Sequence, residues 1–185
     1  MMVEACRLVV LDRDGVINRD SVDFIRSPDA WVPLPRSIEA IARLTHSGFT
    51  VVVASNQSGI GRGLFTLDTL AAIHRRMTDA IDAAGGKLAG IFICPHAPDA
   101  DCDCRKPRPG LMRQIEAAFR CSLVGRPVIG DSERDLRAAQ AVGARAILVR
   151  TGNGLETEAR LARDEALEVY DDLAAVADIL CGEAS

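Results

Sequence analysis

The chain has 185 residues, 48% of them apolar, which suits one domain able to bury about 70% of its chain surface. A formal net charge of −4, a 4% aromatic share and the lack of a basic stripe argue against a nucleic-acid partner. The apolar runs are strand-length, so no membrane partner is expected, and residues 1–11 lack the apolar core of a secretory signal, which makes the cytoplasm the expected compartment.

In chain order the pattern predicts a strand at 7–11, a helix at 36–46, a strand at 50–54, a helix at 67–84 and a strand at 90–94. A helix at 110–119, a strand at 127–130, a helix at 133–142 and a strand at 146–150 follow, then a weaker strand at 167–170 and a last helix at 172–181. Ile38, Ile41 and Leu44 give the first helix its apolar face, with Pro35 near its start and Gly48 after its end. Leu70, Ile73, Met77 and Ile81 do the same for the second, between an N-cap candidate at Thr66 and a stop at Gly85-Gly86. The alternation predicts an α/β fold, a doubly wound, mainly parallel sheet of five to six strands with helices on both faces. No repeat, low-complexity tract or linker divides it, so a single domain is expected over residues 1–185. In such sheets ligands sit beyond the carboxyl ends of the strands, and the residues just after each strand matter most.

The first strand runs into Asp12-Arg13-Asp14-Gly15. Alternation along an extended backbone sends Asp12 and Asp14 to one side, and Gly15 frees the chain to turn. Two acids there can hold a hard cation such as Mg²⁺, and one of them can attack phosphorus; alone, the pair equally suits an acidic turn. The second strand ends in Ser55-Asn56-Gln57-Ser58-Gly59, where a hydroxyl, an amide and successive N–H groups could cradle a phosphate. The third leads to Arg105-Lys106-Pro107, and a lysine there could neutralise a phosphate and an attacking carboxylate together. The fourth ends in Gly130-Asp131-Ser132, where Asp131 can join Asp12 at a cation. Each piece alone reads as an ordinary loop, whereas four in succession point to one site.

Three of the six cysteines crowd into 94–104 as Cys94-x-His96 and Cys102-x-Cys104. Three thiolates and one imidazole suit a closed tetrahedral Zn²⁺ site with no position left for water, so a structural zinc is expected. Cys6, Cys121 and Cys181 lie apart and read as small hydrophobes, and His46 and His74 as surface or packing residues.

The ordered set Asp12-x-Asp14-Gly15-x-Ile17, Ser55-Asn56, Lys106-Pro107 and Gly130-Asp131-x-x-x-Asp135 resembles the four motifs of the haloacid dehalogenase superfamily of phosphotransferases. The resemblance implies a phosphatase in which Asp12 is the nucleophile and Asp14 the proton carrier. It implies that Ser55 and Lys106 bind the phosphoryl group, and that Asp12, the Asp14 backbone carbonyl and Asp131 hold Mg²⁺. Asp135 is open between support of the site and a helix N-terminus. The intervals between motifs leave no room for a globular cap. Within the superfamily, Gly59-x-Gly61-Arg62-Gly63 and the cysteine loop are similar to those of zinc-containing phosphatases of sugar bisphosphates. That likeness implies a small-molecule sugar phosphate as partner, a monomer, Asp20, Ser21, Val22 and Asp23 with Ser55, Asn56, Gln57 and Ser58 lining the sugar-phosphate pocket, and Arg105 in recognition. Ser132 stands where the family often has a lysine, so one phosphate contact is lost or replaced there. The alternatives are a histidinol-phosphate phosphatase, which shares the zinc loop, and a non-catalytic zinc-stabilised binding module.

Overall fold

A computed structural model of the chain describes residues 7–161 and 166–183. Six parallel strands run in the order β3-β2-β1-β4-β5-β6: β1 (Leu8–Leu11), β2 (Thr50–Asn56), β3 (Leu88–Cys94), β4 (Pro127–Gly130), β5 (Arg145–Val149) and β6 (Glu168–Tyr170). The helices are α1 (Ser37–His46), α2 (Ser58–Gly61), α3 (Leu67–Ala83), α4 (Gly110–Phe119), α5 (Glu133–Gln140), α6 (Gly154–Arg160) and α7 (Leu173–Glu183). The sheet and its helices match the α/β expectation.

β1 shows no polar alternation because both its faces are covered, the mark of a central parallel strand. Val9 and Leu11 join Val51, Val53, Ile129 and Ile147 in a core layer closed by Ile41, Leu44, Ile73, Met77, Val176 and Leu180 of α1, α3 and α7. Leu8 and Val10 join Val52, Ala54 and Val128 in the opposite layer, closed by Leu111, Met112 and Ile115 of α4 and Ala138 and Ala139 of α5. The chain leaves β1 for β2 on one side and later returns to β4 on the other. The strand order therefore reverses at β1/β4, and a crevice opens beyond their carboxyl ends. Asp12 and Asp131 are the first residues past those two strands.

α6 was not foreseen, because Gly-Leu-Glu-Thr-Glu-Ala-Arg carries no apolar stripe and buries only Gly154 and Thr157. Cys121 is disulfide-bonded, which corrects its reading as a small hydrophobe. Cys94, Cys102 and Cys104 are free thiols, and Cys6 lies outside the described residues. Among the described residues, no helix is long and apolar enough to cross a membrane.

Candidate active site

Asp12 leaves β1 anchored by its own N–H to the Ile129 carbonyl at 2.9 Å. Its Oδ1 accepts from the Arg13 N–H at 2.7 Å and lies 3.0 Å from Lys106 Nζ. The same ammonium lies 2.6 Å from Asp135 Oδ1 and donates to the Ala54 carbonyl at 2.7 Å. Two carboxylates and one carbonyl thus surround a buried ammonium, all within 3.0 Å. Burial works against the charge on Lys106, but Asp12 and Asp135 outweigh it and hold its pKa above the ordinary lysine range. Asn56 keeps the lysine in register, its amide donating to the Lys106 carbonyl and accepting from the Lys106 N–H, both at 3.1 Å.

Burial pushes Asp12 up to about 8; Lys106 opposes the rise, while Asp135, Asp131 and Asp14 add to it. Asp131 is pushed up to about 6 by burial and by Asp135, against hydrogen bonds from Asn153. Those bonds, 2.8 Å from the Asn153 N–H and 3.0 Å from its amide, both fall on Oδ2. Asp131 Oδ1 is buried and has no hydrogen-bond partner. Asp12, Asp131 and Asp135 each bring a carboxylate oxygen within 4.8 Å of the others. A hard divalent cation fits this set, because it would satisfy the orphaned oxygen and relieve the crowding of carboxylates. Gly15 is what lets Asp131 in: its φ is +81°, and a Cβ there would lie 2.1 Å from Asp131 Oδ2.

Asp14 is held differently. Arg13 Nε and Nη2 reach its Oδ1 at 3.1 and 2.9 Å, and Nη2 reaches Oδ2 at 3.0 Å. Asn18 Nδ2 donates to Oδ1 at 2.9 Å and Gln57 Nε2 to Oδ2 at 3.0 Å. Burial alone would raise the pKa, but the Arg13 charge and the bonds from Asn18, Arg13 and Gln57 bring it below the ordinary carboxylate value. Gln57 also donates to Ser55 Oγ at 2.8 Å, so one amide orients both the acid and the hydroxyl.

Above these groups lies a hollow of about 250 Å³ lined by Asp12, Asp14, Asp20, Ser21, Ser55, Asn56, Gln57, Ser58 and Arg105. Sequence reasoning missed five further lining residues, Arg13, Phe24, Ile25, Arg62 and Arg134. Arg62 stands over the Phe24 ring at 5.8 Å, a cation–π contact that joins two loops across the hollow. Of the expected lining residues, Val22 is 98% exposed, and neither it nor Asp23 lines the hollow. Lys106 is not on its wall either, being drawn below it by Asp12 and Asp135. Ser132 is buried: its N–H and hydroxyl both donate to Asp135 Oδ2, which caps α5, and its oxygen accepts from Arg134 Nε at 3.2 Å. Asp135 thus serves both of its expected roles, supporting Lys106 and capping the helix.

Cys94, His96, Cys102 and Cys104 close on one point. The Cys94–Cys102 and Cys102–Cys104 sulfurs are 3.6 Å apart, and His96 Nδ1 lies 3.6 Å from Cys94 Sγ and 3.3 Å from Cys104 Sγ. Zn–S and Zn–N bonds of about 2.3 and 2.05 Å make tetrahedral edges of about 3.8 Å (S···S) and about 3.6 Å (S···N), so the cluster has the dimensions of a zinc site. Burial and the neighbouring thiols push Cys104 up to about 12, while hydrogen bonds from Cys94 and Cys104 bring Cys102 down to about 7 against its desolvation. Gly61 presses against this loop: its N–H donates to the Pro95 carbonyl at 2.8 Å, and a Cβ would lie 2.5 Å from Ala97 N.

A nucleophile-bearing strand tip, a buried lysine and a carboxylate trio at the switch point of a parallel sheet define a phosphoryl-transfer hydrolase. The polynucleotide kinase 3 phosphatase family matches residues 8–131, and the HAD-hydrolase-like family matches residues 103–176. The chain is 52% identical over 178 residues to the D-glycero-beta-D-manno-heptose-1,7-bisphosphate 7-phosphatase of Bordetella bronchiseptica, covering 96% of this chain and 99% of the relative. It is 50% identical to the Pseudomonas aeruginosa enzyme of the same name, covering 94% and 97%. The crystal structure of the B. bronchiseptica D,D-heptose 1,7-bisphosphate phosphatase, complexed with magnesium and phosphate, superposes with a TM-score of 0.93 at 51% identity, covering 96% of this chain and 99% of that one. The chain belongs to the D-glycero-beta-D-manno-heptose-1,7-bisphosphate 7-phosphatase family of HAD-type hydrolases.

Proposed function

We propose that the protein hydrolyses the 7-phosphate of D-glycero-D-manno-heptose 1,7-bisphosphate. One observation carries the reading: Asp12 sits 3.0 Å from a buried lysine at the floor of a hollow lined by Arg62, Arg105 and Arg134. None of these three arginines is in an ion pair among the described residues. Arg105 has a buried guanidinium nitrogen with no partner, and burial and the nearby Arg134 and Arg62 charges disfavour its own charge. Unpaired guanidiniums above a nucleophile suit a substrate with one phosphate to lose and another to hold. Arg134 brings a cation to the place where Ser132 replaces the family's frequent lysine.

The contacts on Asp12 fall on Oδ1, which leaves Oδ2 to attack phosphorus. As the new P–O bond forms, the bond to the sugar oxygen breaks, and that oxygen takes its proton from Asp14, which must enter this step protonated against the pull of Arg13. Water then attacks the aspartyl-phosphate, Asp14 takes the water's proton, and Asp12 and inorganic phosphate are released. Lys106 favours the ionised form of Asp12 against the effect of burial, and Ser55 with the N–H groups around 55–58 orients the phosphoryl oxygens. Asp12, the Asp14 backbone carbonyl and Asp131 would hold Mg²⁺, which when bound neutralises charge on the transferring phosphoryl group. Cys94, His96, Cys102 and Cys104 would hold a structural Zn²⁺. Every group in this scheme comes from one chain, so a monomer suffices for the chemistry. The relatives share one activity, and neither the histidinol-phosphate nor the binding-module alternative accounts for the arginine rim. Phosphate release with Mg²⁺ from the heptose bisphosphate, from histidinol phosphate and from a panel of sugar monophosphates tests the assignment. The heptose bisphosphate is expected to be the best substrate, with turnover abolished in Asp12→Asn. Faster turnover of histidinol phosphate would reject it.

A further inference from the structure

Arg13 lies between the two acids of the first motif, and the chemistry assigned above does not use it. Strand alternation would send its side chain away from Asp14, but β1 ends at Leu11 and the chain bends. The Arg13 carbonyl accepts from the Ile17 N–H at 2.9 Å and the Asn18 N–H at 3.1 Å, and its side chain is 2% exposed. One edge of the guanidinium grips the Asp14 carboxylate. The remaining nitrogen, Nη1, lies 3.3 Å from Nε2 of His74, 61 residues away on α3. A guanidinium has donors only, so His74 Nε2 must accept, and the ring proton sits on Nδ1. A neutral imidazole on α3 therefore fixes one end of a rigid planar fork whose other end fixes Asp14.

We propose that Arg13 and His74 are positioning residues that hold the Asp14 carboxylate where it can pass a proton first to the leaving oxygen and then from water. The proposal rests on Asp14 being the proton carrier. Asn18 and Gln57 each give Asp14 one hydrogen bond, about which a carboxylate can still pivot. The two-point Arg13 contact removes that freedom, and His74 keeps Arg13 from swinging with it. Arg13 borders the hollow but His74 does not, so the loss of His74 should fall on turnover.

His74 is only partly buried, so its replacement leaves the core intact. His74→Leu removes the acceptor, and His74→Gln keeps one at similar reach. Both are assayed as full chains with Mg²⁺ and zinc present, on the heptose bisphosphate and on p-nitrophenyl phosphate. For His74→Leu, kcat on the sugar phosphate is expected to fall about tenfold or more, with KM changed by less than about twofold. His74→Gln is expected to recover most of the loss. p-Nitrophenolate needs no proton to leave, so that substrate spares the first step but not the second. His74→Leu should then show a burst of about one p-nitrophenolate per enzyme, as the aspartyl-phosphate accumulates. Full turnover in His74→Leu, equal impairment in His74→Gln, or a loss without a burst would each overturn the proposal. If wild type cleaves the aryl phosphate but not the heptose bisphosphate, the substrate assignment fails and the burst still decides the inference. If wild type cleaves neither, the role of Asp14 fails and the proposal falls with it.

Discussion

Single residues set the site's geometry, and Gly15 shows how. Its backbone at φ +81° and the 2.1 Å approach of Asp131 Oδ2 to where a Cβ would stand leave no room for alanine. Gly15→Ala is expected to cost about 1–3 kcal/mol from the left-handed backbone alone. It should also displace Asp131, so urea denaturation should show the loss and added Mg²⁺ should recover little of it. His74 gives a second prediction at this scale. Burial first, and then the Arg13 charge, brings its pKa from 6.5 down to about 4. Between those values the unfolded chain binds a proton that the folded chain refuses, so stability falls as pH drops through that window and is unaffected above it. The stability of wild type minus that of His74→Gln, followed by denaturation from about pH 7 to about pH 4, should decline accordingly. The acids themselves were legible from sequence, because strand-end carboxylates are a local pattern. His74 was not: Leu70, Ile73 and Met77 at helical spacing made it look like a packing residue, and its partner lies 61 positions away.

At the scale of elements, the cysteine loop and the β2 end act as one body. Gly61 is pressed on the loop backbone, the Gln57 N–H donates to the Cys94 carbonyl at 2.7 Å, and Asn56 clasps Lys106 at both its N–H and its carbonyl. Zinc at the four ligands would therefore fix the loop that delivers Arg105 and Lys106. Its removal is expected to lower turnover about tenfold or more, as a misplaced positioning group does. Mg²⁺ affinity should meanwhile stay within about twofold, because Asp12 and Asp131 directly follow β1 and β4, away from the loop. Chelation followed by phosphate-release assays and Mg²⁺ titration by calorimetry separates the two effects; full turnover in folded, zinc-free protein would sink the coupling. The four ligands were legible because their spacing is short. The loop at 18–33 was legible only in part: Asp20 and Ser21 reach the hollow, while Val22 projects into solvent, because a loop has no fixed period from which direction can be read. Ser132 turned inward for a related reason. A serine before a helix with an acid three residues on is a capping pattern, and that local bond outweighed a role in the pocket.

At the scale of the whole molecule, the strand order brings carboxylates from distant parts of the chain into one buried crevice. This couples the fold's stability to the site's charge. Of the trio Asp12, Asp131 and Asp135, only Asp12 and Asp135 pair with the buried ammonium of Lys106. Asp12 and Asp131 are raised to about 8 and about 6 from an ordinary 3.8. Without a cation, the folded chain holds protons that the unfolded chain gives up above pH 3.8, so these two groups make stability fall as pH rises towards 8. A divalent cation reverses the balance, since it binds the ionised carboxylates and is opposed by their protons. Mg²⁺ at a hundred times its dissociation constant should add about 2.7 kcal/mol of stability if it binds only the folded chain. That increment should shrink as pH is lowered from about 8 to about 5, because each Mg²⁺ must then displace protons from Asp12 and Asp131. Thermal melts with and without Mg²⁺ across that range check the sign, and calorimetry in buffers of different ionisation enthalpy counts the released protons. A stabilisation that is flat with pH, with no proton release, would mean that the cation sits elsewhere than at the tips of β1 and β4. Asp131→Asn should act in the same direction as acid: it removes one charge from the crevice, so the metal-free protein gains stability at about pH 8 while its Mg²⁺ increment and its turnover are lost.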